Sequence, residues 1–147
     1  MNKKLSITLS LLIFFMCFIF YTSSLPSDSE ILKIEGEFFF NFVFSAELKH
    51  IIMYSILGFL STLFFSAYLK HRTFLRLTSL SLFTPIFYGV TDELHQFFVP
   101  TRFCTLEDIT ADSIGSIIGV SLLLSYLAIK TKTLNKSFKY CNSTRSN

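Results

Sequence analysis

Four polar side chains follow one another closely at the end of an apolar run in this chain. Asp92, Glu93, His95 and Gln96 come directly after the uncharged stretch LTSLSLFTPIFYGV of residues 77–90. Carboxylates and imidazoles are the groups with which proteins transfer protons and hold metal ions. A stretch apolar enough to cross a membrane is expected to end in such groups only where other polar groups surround them.

Two other apolar stretches carry ionisable groups at a matching position. His50 lies near the start of one and Asp112 near the start of another. At 1.5 Å per helical residue these two and Asp92 lie on the order of 5–12 Å inside the outer helix ends. A charge within a membrane helix costs about 2.5–3.5 kcal/mol, so such groups face a bundle interior or a wet cavity. We therefore predict a polar pocket that opens outward and is formed by His50, Tyr54, Asp92, Glu93, His95, Gln96, Arg102, Asp108 and Asp112.

The same residues have a purely structural interpretation. His50 paired with Asp92, or Arg102 paired with Glu107 or Asp108, would only hold helices together. Asp108 in the first turn of a helix is also favoured by the helix dipole. Glu93 is expected to point roughly 100° away from Asp92, and no partner is predicted for it.

The spacing of these residues identifies no known catalytic centre. The chain has no HExxH pair, no strict metal-ligand spacing, no evident nucleophile and no glycine-rich phosphate loop. The pocket residues suit acid–base or metal-dependent chemistry by type alone. We assign no catalytic residue, no metal ligand and no cofactor from the sequence.

The elements that must position these side chains are membrane helices. Of the 147 residues 51% are hydrophobic, and the mean hydropathy of +0.54 is high for a soluble domain of this size. The basic residues form small groups beside apolar segments, which argues against a nucleic-acid partner. We predict an all-α bundle of about four transmembrane helices in contact with the lipid bilayer. The predicted spans are residues 5–21, 47–69, 74–99 and 106–129, between a cytoplasmic N-terminus of residues 1–4 and a basic cytoplasmic tail of residues 130–147.

The charge distribution predicts the orientation of this multi-pass protein in the cell membrane. With both termini in the cytoplasm, ten of the thirteen Lys and Arg residues lie on the cytoplasmic side, as the positive-inside rule requires. All ten Asp and Glu residues then lie in outer loops or in the outer halves of spans. The polar pocket accordingly faces outward.

Three further features bear on the architecture. Residues 5–21 fit a retained span better than a cleaved signal peptide, since no small-x-small cleavage site follows cleanly. Between the first two spans, an interfacial helix is plausible because Ile31, Ile34, Phe38 and Phe42 share one helical side. Small residues allow close helix packing. They are Gly58, Gly89, Ala111, Gly115 and Gly119.

Two stretches together resemble the VanZ-like membrane proteins. The segment DELHQFFVPTRFCTLEDITADSIGSIIG, residues 92–119, contains an acidic pair, a Gln, a Phe-x-Pro-x-Arg turn, two Asp four apart and spaced glycines. The segment HIIMYSILGFL, residues 50–60, is similar to the pattern on the preceding helix of that family. The polar positions that match are His50, Tyr54, Asp92, Glu93, Gln96, Arg102, Asp108 and Asp112. The family often has an Asp-Lys pair where this chain has Ala46 and Glu47.

The resemblance implies an envelope function without a settled enzymatic activity. The family is named for a protein linked to lowered susceptibility to the lipoglycopeptide antibiotic teicoplanin. We therefore expect an integral membrane protein whose outer pocket binds or modifies an outer-leaflet component, such as a lipid-linked precursor or the lipoglycopeptide itself. The alternative is a membrane-embedded enzyme, using acid–base or metal-dependent chemistry, that acts on a lipid-linked envelope substrate.

Overall fold

A computed structural model describes residues 3–26, 46–70 and 73–143, with side chains as far as Thr133. These residues form four helices: α1 (Lys3–Ser23), α2 (Ala46–Tyr68), α3 (Phe74–Gln96) and α4 (Leu106–Ser143). The prediction of an all-α protein with four helices is confirmed. The interfacial helix predicted around residues 31–42 lies outside the described residues.

Two helix ends differ from the predicted spans. Helix α3 ends at Gln96 instead of Val99, and two tight turns follow, in which Phe98 and Val99 donate backbone hydrogen bonds to His95 and Gln96. Pro100 disfavours a helical conformation for the residue before it, so the helix ends earlier than its apolar pattern suggests. Helix α4 continues beyond the predicted end at Ile129 into the basic tail.

Three of the four helices are long and apolar enough to cross a membrane: Lys3–Ser23, Ala46–Tyr68 and Leu106–Thr133. Helix α3 has the same length as α2 but carries Arg76, several hydroxyl side chains and the DELHQ segment, which lower its hydropathy. These three candidate spans indicate that the chain is a multi-pass membrane protein.

The distribution of side chains is the reverse of that in a soluble protein. Phe14, Phe83 and Leu122 are 70%, 65% and 61% exposed, whereas Ser61 and Ser116 are fully buried. Large exposed apolar surfaces mark contact with a partner or a membrane. Together with the candidate spans, this arrangement indicates that the outer faces of the helices contact lipid.

Helices α2 and α4 form the closest contact in the bundle, and glycine makes it possible. Gly115 and Gly119 lie directly against the backbone carbonyls of Ile51 and Ser55 on α2, so that even a methyl group there would collide with main-chain atoms. In lipid, where no hydrophobic effect drives helices together, such small-residue contacts provide much of the packing energy. The predicted packing role of Gly115 and Gly119 therefore has a specific partner helix.

The other two predicted packing glycines lie in the same contact region. A Cβ at Gly58 would lie 2.6 Å from the Ser116 carbonyl oxygen, and one at Gly89 would lie 2.9 Å from Oδ2 of Asp112. Gly89 thus allows α3 to approach the side chain of Asp112 on α4. Helix α1 packs on the outside through Leu12 and Ile19.

Substitution of Gly119 tests the close contact between α2 and α4. Gly119→Ala ordinarily favours a helix by about 0.5–1 kcal/mol. Here the added methyl group meets the Ser55 carbonyl, and overpacking of this kind costs about 1–3 kcal/mol. We expect a lower thermal midpoint by circular dichroism of the detergent-solubilised chain.

The matched control is Ser121→Ala, at an exposed position two residues further along α4. This variant should unfold at the wild-type midpoint or slightly above it. Equal or raised midpoints for both variants would contradict a close contact at Gly119.

Candidate functional site

A cluster of polar side chains lies where three helices meet at one end of the bundle. Because successive helices run in opposite directions, the start of α2, the end of α3 and the start of α4 come together. We call the following residues the polar cluster: His50 of α2, Asp92, Glu93 and Gln96 of α3, and Asp108 and Asp112 of α4.

His50 is the centre of this cluster. Its Nδ1 lies 2.8 Å from Oδ1 of Asp112, within hydrogen-bonding distance. The same Nδ1 lies 3.9 Å from Oε1 of Glu93, and Nε2 lies 4.0 Å from Oδ1 of Asp108. One imidazole therefore faces three carboxylates, which come from two other helices.

Gln96 connects the two adjacent acids of α3. Its Nε2 donates to Oδ2 of Asp92 at 3.1 Å and to Oε1 of Glu93 at 3.2 Å. Glu93, for which the sequence predicted no partner, is completely buried and faces His50, while Asp92 faces α1. The two adjacent acids of α3 therefore face different helices, and His50 is the partner that the sequence did not provide for Glu93.

Helix α1 closes the side of the cluster next to Asp92. Ser23 donates a 2.9 Å hydrogen bond to Oδ2 of Asp92, and Oγ of Ser24 lies 3.0 Å from Nε2 of His95. The His95 ring also stacks on Phe20, with ring centroids 4.5 Å apart. Predicted as part of the pocket, His95 is placed by the structure against the end of α1.

Arg102 also contacts α1 and none of the cluster acids. Its Nε and Nη2 donate to the backbone carbonyls of Leu25 and Thr22, at 3.0 and 3.1 Å. The preceding Thr101 has a positive φ of 66°, which is unusual for a β-branched residue and turns the loop back toward α1. Arg102 thus holds the end of α1, whose last carbonyls have no partner within the helix.

The two remaining predicted pocket residues are Asp108, at the start of α4, and Tyr54, one turn after His50 on α2. Asp108 accepts a hydrogen bond from Thr105 at 2.6 Å and its backbone N–H donates to the same hydroxyl at 3.1 Å, which caps the start of α4. Tyr54 lies one turn deeper than His50, with parallel rings 6.4 Å apart. The Tyr54 hydroxyl is buried and has no hydrogen-bond partner in the described part of the chain.

The cluster is short of hydrogen-bond donors. Among the described residues, one oxygen each of Asp92, Glu93 and Asp112 is buried without a partner. In the described ranges, Glu93 and Asp112 form ion pairs with His50 alone. Because a buried, unpaired carboxylate oxygen costs about 1–3 kcal/mol or more, each of these oxygens calls for a water, an ion or a ligand as its partner.

An apolar groove reaches Tyr88, one helical turn before Asp92 of the cluster. It has a volume of about 340 Å³ and lies between α1 and α3, lined by Ile13, Met16, Cys17, Phe20 and Tyr88. The hydroxyl of Tyr88 donates a 2.6 Å hydrogen bond to the Met16 carbonyl and fixes one wall. Phe20 forms the end of the groove nearest His95. An acidic cluster and an apolar groove therefore adjoin each other.

The cluster has the groups for three kinds of chemistry. Its carboxylates accept hydrogen bonds from an amine, a hydroxyl or an amide. The His50–Asp112 pair has the geometry of a general base with an orienting carboxylate. His50, Glu93 and Asp112 also each offer a ligand atom, all within 4.8 Å of one another.

Ser23, Ser24 and Thr105 belong to the site but were not predicted from the sequence. Serine and threonine are common at helix ends, so their type carries little information. Their depth in the membrane was the one available signal. Ser23 and Ser24 end the first span on the same side of the membrane on which residues 92–96, DELHQ, end the third span.

The fold and the site define a multi-pass helical membrane protein with buried carboxylates and an imidazole at one end of its bundle. The sequence profile of the VanZ/LLP1 family matches residues 8–129. This match covers most of the chain and all the polar residues described above, so the chain belongs to the VanZ/LLP1 family. No curated protein and no solved structure matches it.

Proposed function

We propose that α3 is a fourth membrane span and that both termini lie in the cytoplasm. Helix α3 packs against α2 and α4 and exposes Phe83 and Phe87 on its outer face, as a lipid-facing helix would. Its length of 23 residues suffices for a hydrocarbon core about 30 Å thick. In this orientation the positive charges lie inside and the polar cluster lies near the outer surface.

We further propose that the protein binds an amphiphilic component of the outer leaflet. The observation that carries this proposal is the juxtaposition of partnerless buried carboxylate oxygens with an apolar groove. A ligand with hydrogen-bond donors at one end and an acyl chain at the other would satisfy both. The side chains of His50 and Asp108 are each 15% exposed and leave the cluster accessible from its end of the bundle.

Teicoplanin has the groups that the cluster and the groove would bind. It would either occupy this site itself or compete there with a lipid-linked precursor. Teicoplanin differs from vancomycin by its fatty acyl chain, which anchors it at the membrane. Its amide and sugar groups supply donors for Asp92 and the other acids of the cluster, and its chain suits the groove between α1 and α3. The protein would lower susceptibility by holding the antibiotic, or the lipid-linked precursor near it, in an unproductive position.

A membrane-embedded enzyme is the second candidate function. The specific observation in its favour is the 2.8 Å contact between His50 and Asp112, because a carboxylate-oriented imidazole is a common general base. Glu93, whose Oε1 lies 3.9 Å from the same nitrogen, would serve as the second titrating group. The substrate would be a lipid-linked envelope component that enters from the outer leaflet.

Chemical labelling of the native cysteines tests the orientation. Cys104 lies exposed in the loop between α3 and α4, and Cys141 lies in the basic tail. In single-cysteine variants, we expect a membrane-impermeant maleimide to label Cys104 in intact cells and Cys141 only after lysis. The opposite pattern would place the polar cluster on the cytoplasmic side and remove the basis for an outer-leaflet ligand.

Antibiotic susceptibility tests the binding proposal. Expression of the wild type in a susceptible Gram-positive host should raise the minimum inhibitory concentration of teicoplanin and leave that of vancomycin unchanged. Asp92→Asn keeps the shape of the side chain but removes its charge, so we expect susceptibility to return to that of the empty vector.

Glu107→Gln is the matched control for this experiment, because Glu107 is exposed at the start of α4 and contacts no cluster residue in the described structure. Membrane levels of all variants are compared by immunoblot. If the wild type protects no better than the empty vector, the lipoglycopeptide is not the target. If Asp92→Asn protects as well as Glu107→Gln, the cluster has no part in the effect.

Lipid analysis separates binding from catalysis. We expect the envelope lipids of cells expressing the wild type to match those of cells expressing His50→Gln when measured by mass spectrometry of whole extracts. A lipid that the wild type consumes or forms, and that His50→Gln does not, would favour the enzyme over the binding protein.

A further inference from the structure

We propose that His50, Glu93 and Asp112 form a binding site for a divalent transition-metal ion, with Zn²⁺ as the preferred occupant. The three residues come from three different helices and have no motif spacing along the chain. The sequence therefore predicted no metal ligand. This proposal concerns the metal alone and does not depend on any envelope ligand.

The distances fit one small cation. Two ligands at about 2.1 Å from a tetrahedral Zn²⁺ lie about 3.4 Å apart. Around Nδ1 of His50, the oxygens of Asp112 and Glu93 lie at 2.8 and 3.9 Å, on either side of that value. All three ligand atoms lie within 4.8 Å of one another. Small side-chain rotations would bring them to coordination distance.

The surroundings already contain the outer groups that metal ligands need. A metal-bound imidazole usually directs its other ring nitrogen to a carboxylate. With Nδ1 of His50 on the metal, Nε2 faces Oδ1 of Asp108 at 4.0 Å. On the other side, Gln96 donates to Oε1 of Glu93 at 3.2 Å and limits the rotation of that carboxylate.

Unpartnered oxygens on buried side chains give independent support. Glu93 and Asp112 are 0% and 1% exposed, and besides the oxygens named above each has a second one, Oε2 and Oδ2, that is buried without a hydrogen-bond partner in the described residues. With both carboxyl groups deprotonated, two carboxylates face one imidazole, so the site carries excess negative charge. A divalent cation would neutralise it, whereas a further hydrogen bond would not.

The donor set favours zinc over magnesium or calcium. Mg²⁺ and Ca²⁺ select oxygen ligands, while an imidazole with two carboxylates suits Zn²⁺ and, less strongly, Mn²⁺. Three protein ligands leave one position of a tetrahedral zinc open, which is the arrangement of zinc sites that bind an exchangeable group. The partial exposure of His50 and Asp108 provides a path for the ion.

Metal content of the purified chain tests the proposal directly. The full chain is purified in detergent through an affinity tag free of histidine, stripped with chelator and dialysed against Zn²⁺, Mn²⁺ or Mg²⁺. We expect the wild type to retain a single Zn²⁺ per chain by plasma mass spectrometry. Glu93→Gln and Asp112→Asn, which keep side-chain size, should each weaken zinc binding by at least about tenfold.

Glu107→Gln is the matched control, since it removes an exposed acid of α4 that is none of the three proposed ligands. It should bind zinc as the wild type does. Equal zinc binding by Glu93→Gln and Glu107→Gln would overturn the proposal, as would a wild type that retains no metal.

A spectrum of the unmodified chain makes the test independent of variant folding. Co²⁺ in place of Zn²⁺ should give intense visible bands of a low-coordinate nitrogen and oxygen site, and added Zn²⁺ should abolish them. A spectrum equal to that of hexaaqua Co²⁺ would overturn the proposal. These assays measure metal and not susceptibility, so a metal-free chain that still protects against teicoplanin would leave the proposed function intact.

Discussion

The hydrogen bond between His50 and Asp112 depends on the close backbone contact of α2 and α4. Gly115 and Gly119 allow the α4 backbone to lie against the Ile51 and Ser55 carbonyls, and this separation places the imidazole within 2.8 Å of the carboxylate. In a membrane such packing replaces the hydrophobic effect as the force between helices. The geometry of the cluster is thus fixed by residues that have no polar side chain.

The same constraint explains why the acids of α3 have different surroundings. Gly89 lets α3 approach Asp112, and Asp92 then contacts Ser23 of α1 while Glu93 faces His50 of α2. Asp92 has donors from Ser23 and Gln96, whereas Glu93 has Gln96 and a distant His50. A carboxylate without partners is costly in a low-dielectric interior. Glu93, which accepts fewer hydrogen bonds than Asp92, is therefore the less stabilised of the two acids.

Indexing each helix by its period predicted the four helices and a bundle interior that contains polar residues, since lipid forces the backbone into helices and polar residues into the bundle. Tyr54, Gln96 and the four packing glycines lie in the interior as predicted. Indexing does not give the rotation of one helix relative to another. The structural interpretation could therefore offer Asp92 only as one possible partner for His50, whereas the structure gives it Asp112, and Glu93 was left without a predicted partner.

The loop residues escaped prediction for a different reason. Arg102 was expected near the acids, but its guanidinium donates instead to the backbone carbonyls of Thr22 and Leu25, at and just beyond the end of α1. With Arg102 so engaged, the described cluster has four carboxylates and His50 as its one cationic partner. That imbalance restricts what can bind. A phosphate-bearing lipid would be repelled unless a metal ion lay between it and the acids, whereas a ligand rich in amine, amide or hydroxyl donors would be attracted without one.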